Sequence, residues 1–516
     1  MKHTSIGLVF LLGLLDCGGN GVTATPDAGT PDAGGGPLSL APGEVAEITV
    51  DGSGVSGERL ATPTGTEKFV LVLASTKFVV QTAVSGYTLS LDAAPDAPSS
   101  ALVTGCALSS TPWSTTTLPS EPPPTGTAPA VGTTRDISVP TGIGAEVVSA
   151  KVIASGNSAV VWADTTVAHP AVLDTTFVQQ FLDDFEKTIM PRERSIFGTE
   201  SDLDADGHIQ LIFSPLTKDT AVAFFTGCDL KGDLAGCSST NGGEFLYLTP
   251  PGNIDPPYNT PNAMKEILAH ETSHMIHFGR KVLRNKLTKW TDSGYMIEGV
   301  GGFAQDAVGY QAGNLYVTMA GLDGFDQFSL GDTLVDNRPY DTKRDGVLRG
   351  GSYLFVRYLY DRAGGDKANS DGTVTGLGGT AFIHAAFEDP RSIAGALPDL
   401  TKASLADIGV DFFTTLAMSN REDKGGPAPK NACFAYLPTS LDPVSTDQRG
   451  TNVYAKFHGI QMKGPAIQLA ASADGKLRAG GVEYIEIDAV PGQPELDFTA
   501  TLDPSILPRV RVGRIQ

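Results

Sequence analysis

Residues 260–278, TPNAMKEILAHETSHMIHF, decide how the rest of the chain is read. Thr260 can cap a helix, Pro261 suits its first turn, and Ile267, Leu268 and Met275 supply apolar contacts. On a helix, residues four apart share a face, so His270 and His274 can each offer a ring nitrogen to one metal ion. Glu271 then stands beside that ion, where a carboxylate can take a proton from bound water. This H-E-x-x-H spacing points to a zinc hydrolase. The alternative is a surface helix carrying two unrelated histidines.

A zinc hydrolase site needs a third protein ligand and an open fourth position. One layout takes a histidine six residues beyond the second, but that position is Arg280. The other takes a glutamate from a following helix. Glu298, in the stretch Tyr295 to Tyr310 led in by Trp290, fits that layout, with a solvated glutamate as the alternative. His277 shares a face with His274 but sits one turn too far to replace it. It reads as a partly exposed helix histidine.

Upstream of this helix, Val147 to Ile153 and Ala159 to Ala163 read as paired strands, and His208 to Phe213 and Glu244 to Leu248 as further ones. Phe177, Phe181, Phe185 and Ile189 line one helical face, and Pro191 is expected to stop that helix. Helical stretches at about 261–283, 295–310 and 351–362 follow. Strands followed by helices predict an α+β unit over residues 131–425. Residues 38–108, with Lys68 to Leu73 and Phe78 to Thr82, read as an N-terminal β module. Residues 426–516 read as a separate C-terminal β-rich region, with strand-like runs at Val453 to Phe457, Ile467 to Ala471, Glu483 to Ile487 and Val510 to Ile515. Residues 109–130, containing Pro122-Pro123-Pro124, read as a Thr/Pro-rich linker.

The N-terminus reads as an export signal. Lys2 precedes an apolar run, Ile6 to Leu15, too short to span a bilayer. Cys17 and Gly18-Gly19 follow, and the arrangement resembles a bacterial lipoprotein signal over residues 1–17, in which Cys17 is lipidated and becomes the mature N-terminus. Asp16 departs from the small residue usual before that cysteine, and simple secretion is the alternative. Residues 18–37, with Pro-Asp-Ala-Gly repeated, form a flexible tether. The expected location is the bacterial cell envelope, with membrane contact only through a lipid at Cys17, or otherwise the extracellular space. A net charge of −21 argues against nucleic-acid binding. Export permits disulfides, and the short loop between Cys228 and Cys237 makes them the expected pair.

Asp202, Asp204, Asp206 and Gly207 follow the D-x-D-x-D-G pattern of a calcium loop, although the twelfth position, a glutamate in a full EF-hand, is Phe213. A tight aspartate-glycine turn without Ca2+ is the alternative.

Taken together, HETSHMIHF at 270–278, Trp290, and Glu298-Gly299-Val300-Gly301-Gly302-Phe303-Ala304-Gln305-Asp306 resemble the hyicolysin-like metallopeptidases of the glutamate-zincin (gluzincin) class. The Asp-rich turn and Asn241-Gly242-Gly243-Glu244 resemble elements that precede the zinc helix there. The likeness covers roughly residues 131–365. It implies a thermolysin-like zincin domain flanked by small all-β regions, with Zn2+ held by His270, His274 and Glu298, and Glu271 as base in peptide-bond hydrolysis. In this class a tyrosine or histidine downstream of the glutamate often supports the oxyanion. Tyr353 is the first candidate, Tyr340 the second, and a core tyrosine the alternative for Tyr353. Many members carry an aspartate four residues after the glutamate ligand, where this chain has Gly302. Asp306, a turn further on, leaves the support of His270 open. The Glu244 to Leu248 strand is expected to pair with an extended protein or peptide substrate. An inactive surface adhesin and a zinc aminopeptidase are the rival readings. The absence of a G-x-M-E-N element favours an endopeptidase over the second.

If Cys17 is lipidated, the mature protein partitions into detergent with the membrane fraction and Cys17→Ser releases it or leaves it unprocessed. A wholly soluble wild type with its N-terminus elsewhere contradicts this.

Overall fold

The computed structural model describes residues 36–79, 83–95, 99–116, 118, 121–256, 258–311, 321–322, 324, 327–335, 343–457, 460–469 and 473–516. Cys17, most of the tether and Tyr340 lie outside them. The architecture is mixed α+β. A six-stranded sheet runs in the order Ala223–Phe225, Phe245–Leu248, Ile209–Phe213, Ala159–Asp164, Gly144–Ser155, Thr134–Thr141. Its middle strands pair in parallel and are buried along their whole length. Burial on both faces is why they read as unbroken apolar runs. Val161, Leu211, Phe213 and Leu246 face Phe181, Met264 and Leu268 of the helices, while Trp162, Ile212 and Tyr247 fill a second core on the other face.

Pro191 does not stop its helix. Thr175–Asp184 passes through a π-helical segment, Phe185–Ile189, into Met190–Phe197. The wider turn, closed by Met190 N–H donating to the Phe185 carbonyl, places Pro191 at the start of the next segment, where its missing N–H does no harm.

The two flanking β regions are one body rather than two modules. One sheet orders Gln468–Leu469, Val482–Asp488, Lys68–Ser75, Pro508–Arg514, Val45–Ile48 and Ser100–Leu102; a second orders Ala473–Arg478, Val84–Ser90, Glu495–Leu502 and Val55–Ala61. Strands from both ends of the chain are interleaved in the first and alternate strictly in the second. Leu71, Leu73, Ile485, Phe498 and Val510 fill the core that these sheets share. Val70, Val72 and Ala74, on the opposite face of Lys68–Ser75, enter the helical core with Phe413 and Leu416. Periodicity in sequence identifies strands but not their partners, and so it divided this body. Phe78 and Val79 lie outside any strand. A disulfide joins Cys106 to Cys433 across the two ends, and another joins Cys228 to Cys237 as expected.

The boundary at 425 and the linker also change. Arg449 donates to the Ala307 carbonyl and Gly450 N–H to Asp306, so the α+β unit is completed by residues beyond 425. In the described part of 109–130, Trp113 packs edge-on against Phe382, and Glu121 accepts from Arg280 and Arg284. That segment is docked on the α+β unit.

Glu193, on the helix Met190–Phe197, is fully buried, and neither of its oxygens has a hydrogen-bond partner among the described residues. Burial, with Glu200 nearby, pushes its pKa well above the ordinary value. The folded chain therefore keeps a proton that the unfolded chain releases. This contribution is fully present below about pH 4.5 and declines by up to about 1.4 kcal/mol per pH unit as pH rises toward the raised folded value. Glu193→Gln removes the titration, so its melting temperature relative to wild type should climb between pH 5 and pH 8. A pH-independent difference contradicts the assignment.

Candidate metal centre

The helix Pro261–Phe278 begins as its sequence requires, with Thr260 Oγ1 accepting from Ala263 N–H at 3.2 Å and Pro261 in the first turn. Met264, Leu268, Ala269 and Met275 bury one side against the sheet. His270 and His274 meet edge to face with ring centroids 4.5 Å apart. Ligating atoms of His270, Glu271 and His274 lie within 4.8 Å of one another. Glu271 Oε2 accepts from Phe225 N–H at 2.9 Å, which ties the helix to the edge strand of the sheet.

Glu298 arrives on the helix Gly294–Val308, whose cap is Ser293. Its Oε2 lies 3.3 Å from His270 Nε2. The approach depends on glycine: a Cβ on Gly301 would stand 2.5 Å from His270 Cε1, and one on Gly299 would stand 2.8 Å from Ser352. The structure thus gathers His270, Glu271 and His274 and sets Glu298 against His270. His270, Glu271 and Glu298 border a cleft of about 230 Å3 whose other walls include Ala223, Ile267 and Arg349.

The electrostatics separate the four groups. Burial raises Glu271 to about 7, with Glu298 adding to the effect and His270 opposing it. Burial also works against ionisation of Glu298, yet Arg349 and His270 hold its carboxyl well below the usual range. Burial, then His270, pushes His274 well below the ordinary imidazole value. Its Nδ1 is buried with no hydrogen-bond partner among the described residues. Two imidazoles and a carboxylate in this arrangement form a donor set suited to a divalent ion such as zinc.

Other expected residues lie elsewhere. Tyr353 is buried, its hydroxyl donating to Asp306 at 3.0 Å and lying 2.6 Å from Thr451 Oγ1, and it does not line the cleft. Asp306 also accepts from Arg357 and from Gly450 N–H, so it supports the end of its own helix rather than His270. His277 is fully buried, not partly exposed: Nε2 is 3.1 Å from Asp292, and the ring stacks on Phe387. Asp292, one residue before the cap of the Glu298 helix, was not singled out in sequence. Phe245–Leu248 has a strand on either side, so the edge position belongs to Ala223–Phe225.

Arg349 is the principal residue that sequence reading missed. It sits one helical turn before Tyr353 on Asp345–Arg362, pairs with Glu298 through Nη1, and donates from Nε to Asp345 Oδ1 at 3.0 Å. A lone arginine carries no motif. Its four-residue spacing from Tyr353 was the available signal.

The Asp-rich turn gathers Asp202, Asp204 and Glu244 within 4.8 Å. Asp206 instead accepts from His208 N–H and from the Gln210 side chain, each at 2.8 Å. The gathered donors are all oxygen, the chemistry of a hard cation such as calcium rather than of zinc.

With its hydroxyl committed to Asp306 and Thr451, Tyr353→Phe should cost about 1–2 kcal/mol of stability and leave metal affinity within about twofold of wild type. Thermal unfolding and chelator competition check this together; a large loss of metal affinity would return Tyr353 to the site.

No protein-family model matches the chain, and no curated protein matches it. A functional reading of the cleft rests on its geometry and on the motifs that build it.

Proposed function

We propose that the protein is an exported zinc metalloendopeptidase with a thermolysin-like catalytic unit, akin to the hyicolysin-like gluzincins, in which His270, His274 and Glu298 are the metal ligands and Glu271 is the general base. One observation carries this reading: the glutamate chosen by spacing, Glu298, lies 3.3 Å from the first motif histidine at the wall of a cleft. Zinc, when bound, polarises a carbonyl and makes water acidic enough to react near neutrality.

The chain's own groups support the remaining work. Phe225 N–H fixes one oxygen of Glu271, leaving the other to take and return a proton. As the oxygen of water bonds to the peptide carbon, Glu271 accepts its proton. It delivers that proton to the amine nitrogen as the C–N bond breaks. The second water proton leaves the new carboxyl for the amine, so the products are a carboxylate and an ammonium.

The edge strand suits an extended substrate. Phe224 faces Tyr247, and the Val222 carbonyl accepts from Thr249 N–H, so these alternate residues point toward the neighbouring strand. Ala223 and Phe225 point the other way; Phe225 reaches Glu271, and Ala223 lines the cleft. A peptide laid beside Ala223 would extend the sheet by one strand. Lipid anchoring at Cys17 belongs to the same proposal. No helix among the described residues is long and apolar enough to cross a membrane.

Purified wild type should hold about one zinc per chain. Glu298→Ala should lose most of it, whereas Glu271→Gln should keep zinc and lose hydrolysis of a peptide blocked at both ends by at least about a hundredfold. Undiminished hydrolysis by Glu271→Gln rules out this mechanism, and hydrolysis only of peptides with a free amino terminus favours an aminopeptidase.

A further inference from the structure

Arg349 is the only arginine or lysine among the cleft's described lining residues. Its charge is permanent and is held from two sides. Asp345, four residues earlier on the same helix, accepts from Nε at 3.0 Å, and Glu298 Oε2 accepts from Nη1. The same Glu298 oxygen is the one that lies 3.3 Å from His270 Nε2. The guanidinium therefore stands beside the His270–Glu298 contact, in the wall of the same cleft.

We propose that Arg349 is a catalytic residue of the cleft, donating a charge-assisted hydrogen bond to the carbonyl oxygen of the substrate as that oxygen gains negative charge. The inference rests on the peptidase reading of the same site. It reassigns to Arg349 the role that Tyr353 would otherwise fill, because the Tyr353 hydroxyl is committed to Asp306 and Thr451. When water adds to the carbonyl carbon, the C=O electron pair moves on to oxygen. A fixed cation already in place stabilises that charge without reorganising at the moment of reaction. Asp345 is the positioning residue: by holding Nε, it keeps the planar fork turned toward Glu298 and the cleft.

The test uses the zinc-loaded full chain and two probes: an internally quenched peptide for turnover, and a phosphinic pseudopeptide, which presents a tetrahedral anion, for calorimetric binding. For Arg349→Met, kcat should fall about 100- to 1,000-fold, KM should stay within about threefold, and phosphinic affinity should drop about 10- to 100-fold. Zinc should remain near one per chain. Wild-type kcat with wild-type phosphinic affinity overturns the proposal, and so does loss of zinc, which would make Arg349 only a support for Glu298. Should the methionine variant fail to fold, Arg349→Lys keeps a charge beside Glu298 but loses the fork. It should bind the phosphinic probe about tenfold more weakly, and unchanged binding overturns the proposal. The two readings fail separately. A wild type that hydrolyses nothing, yet binds the phosphinic probe in an Arg349-dependent way, refutes the peptidase reading and supports anion recognition by Arg349.

Discussion

Two histidines four residues apart on one helix make an incomplete metal site, and everything else depends on how closely a second helix can approach them. The crossing of Pro261–Phe278 and Gly294–Val308 is set by Gly301, where any side chain would collide with the His270 ring. Glycine inside a helix costs roughly 1 kcal/mol relative to alanine. The gain is geometric, since it places Glu298 beside His270. The crossing is pinned on both sides. His277 reaches Asp292 ahead of the Glu298 helix, while at the far end Arg192 and Arg449 donate to the Val308 and Ala307 carbonyls. Those terminal carbonyls have no partner within the helix, so a buried end requires donors of this kind.

The charges follow from the packing. Arg192 and Asp442 form an ion pair buried from solvent, and Arg449 joins Asp366 beside it. Such pairs seldom add net stability over an apolar replacement, but breaking one is expensive. Around the cleft the same logic produces a chain running Asp345, Arg349, Glu298, His270. It keeps Glu298 ionised in a buried setting where Glu271, in no ion pair among the described residues, is raised to about 7. Two carboxyls in one cleft are thereby driven apart, one held ionised and the other raised toward neutrality.

Much of this was legible in sequence because it is local. The Thr260 cap, the four-residue histidine spacing and the buried strands each follow from a few neighbouring residues, and the structure has them where the sequence puts them. Glu298 was legible because a helix-to-helix spacing constrains it. What failed depends on contacts distant in the chain. Val482–Asp488 pairs with Lys68–Ser75, and nothing in either run identifies the other. Tyr353 and Arg349 lie one helical turn apart on the same helix, and only contacts from elsewhere in the chain decide that Arg349 lines the cleft while Tyr353 bonds Asp306. The continuation past Pro191 turned on a π-helical segment, which leaves no compositional trace.

The central claim concerns what the crossing of these two helices holds, and X-ray absorption at the zinc edge on the purified full chain tests it most directly. The account predicts a first shell of two imidazole nitrogens and carboxylate oxygen at about 2.0–2.2 Å, with the imidazole signal lost in a His270→Ala, His274→Ala double variant. A zinc spectrum dominated by sulfur, one unchanged in the double variant, or no bound zinc in protein purified without chelator would contradict it.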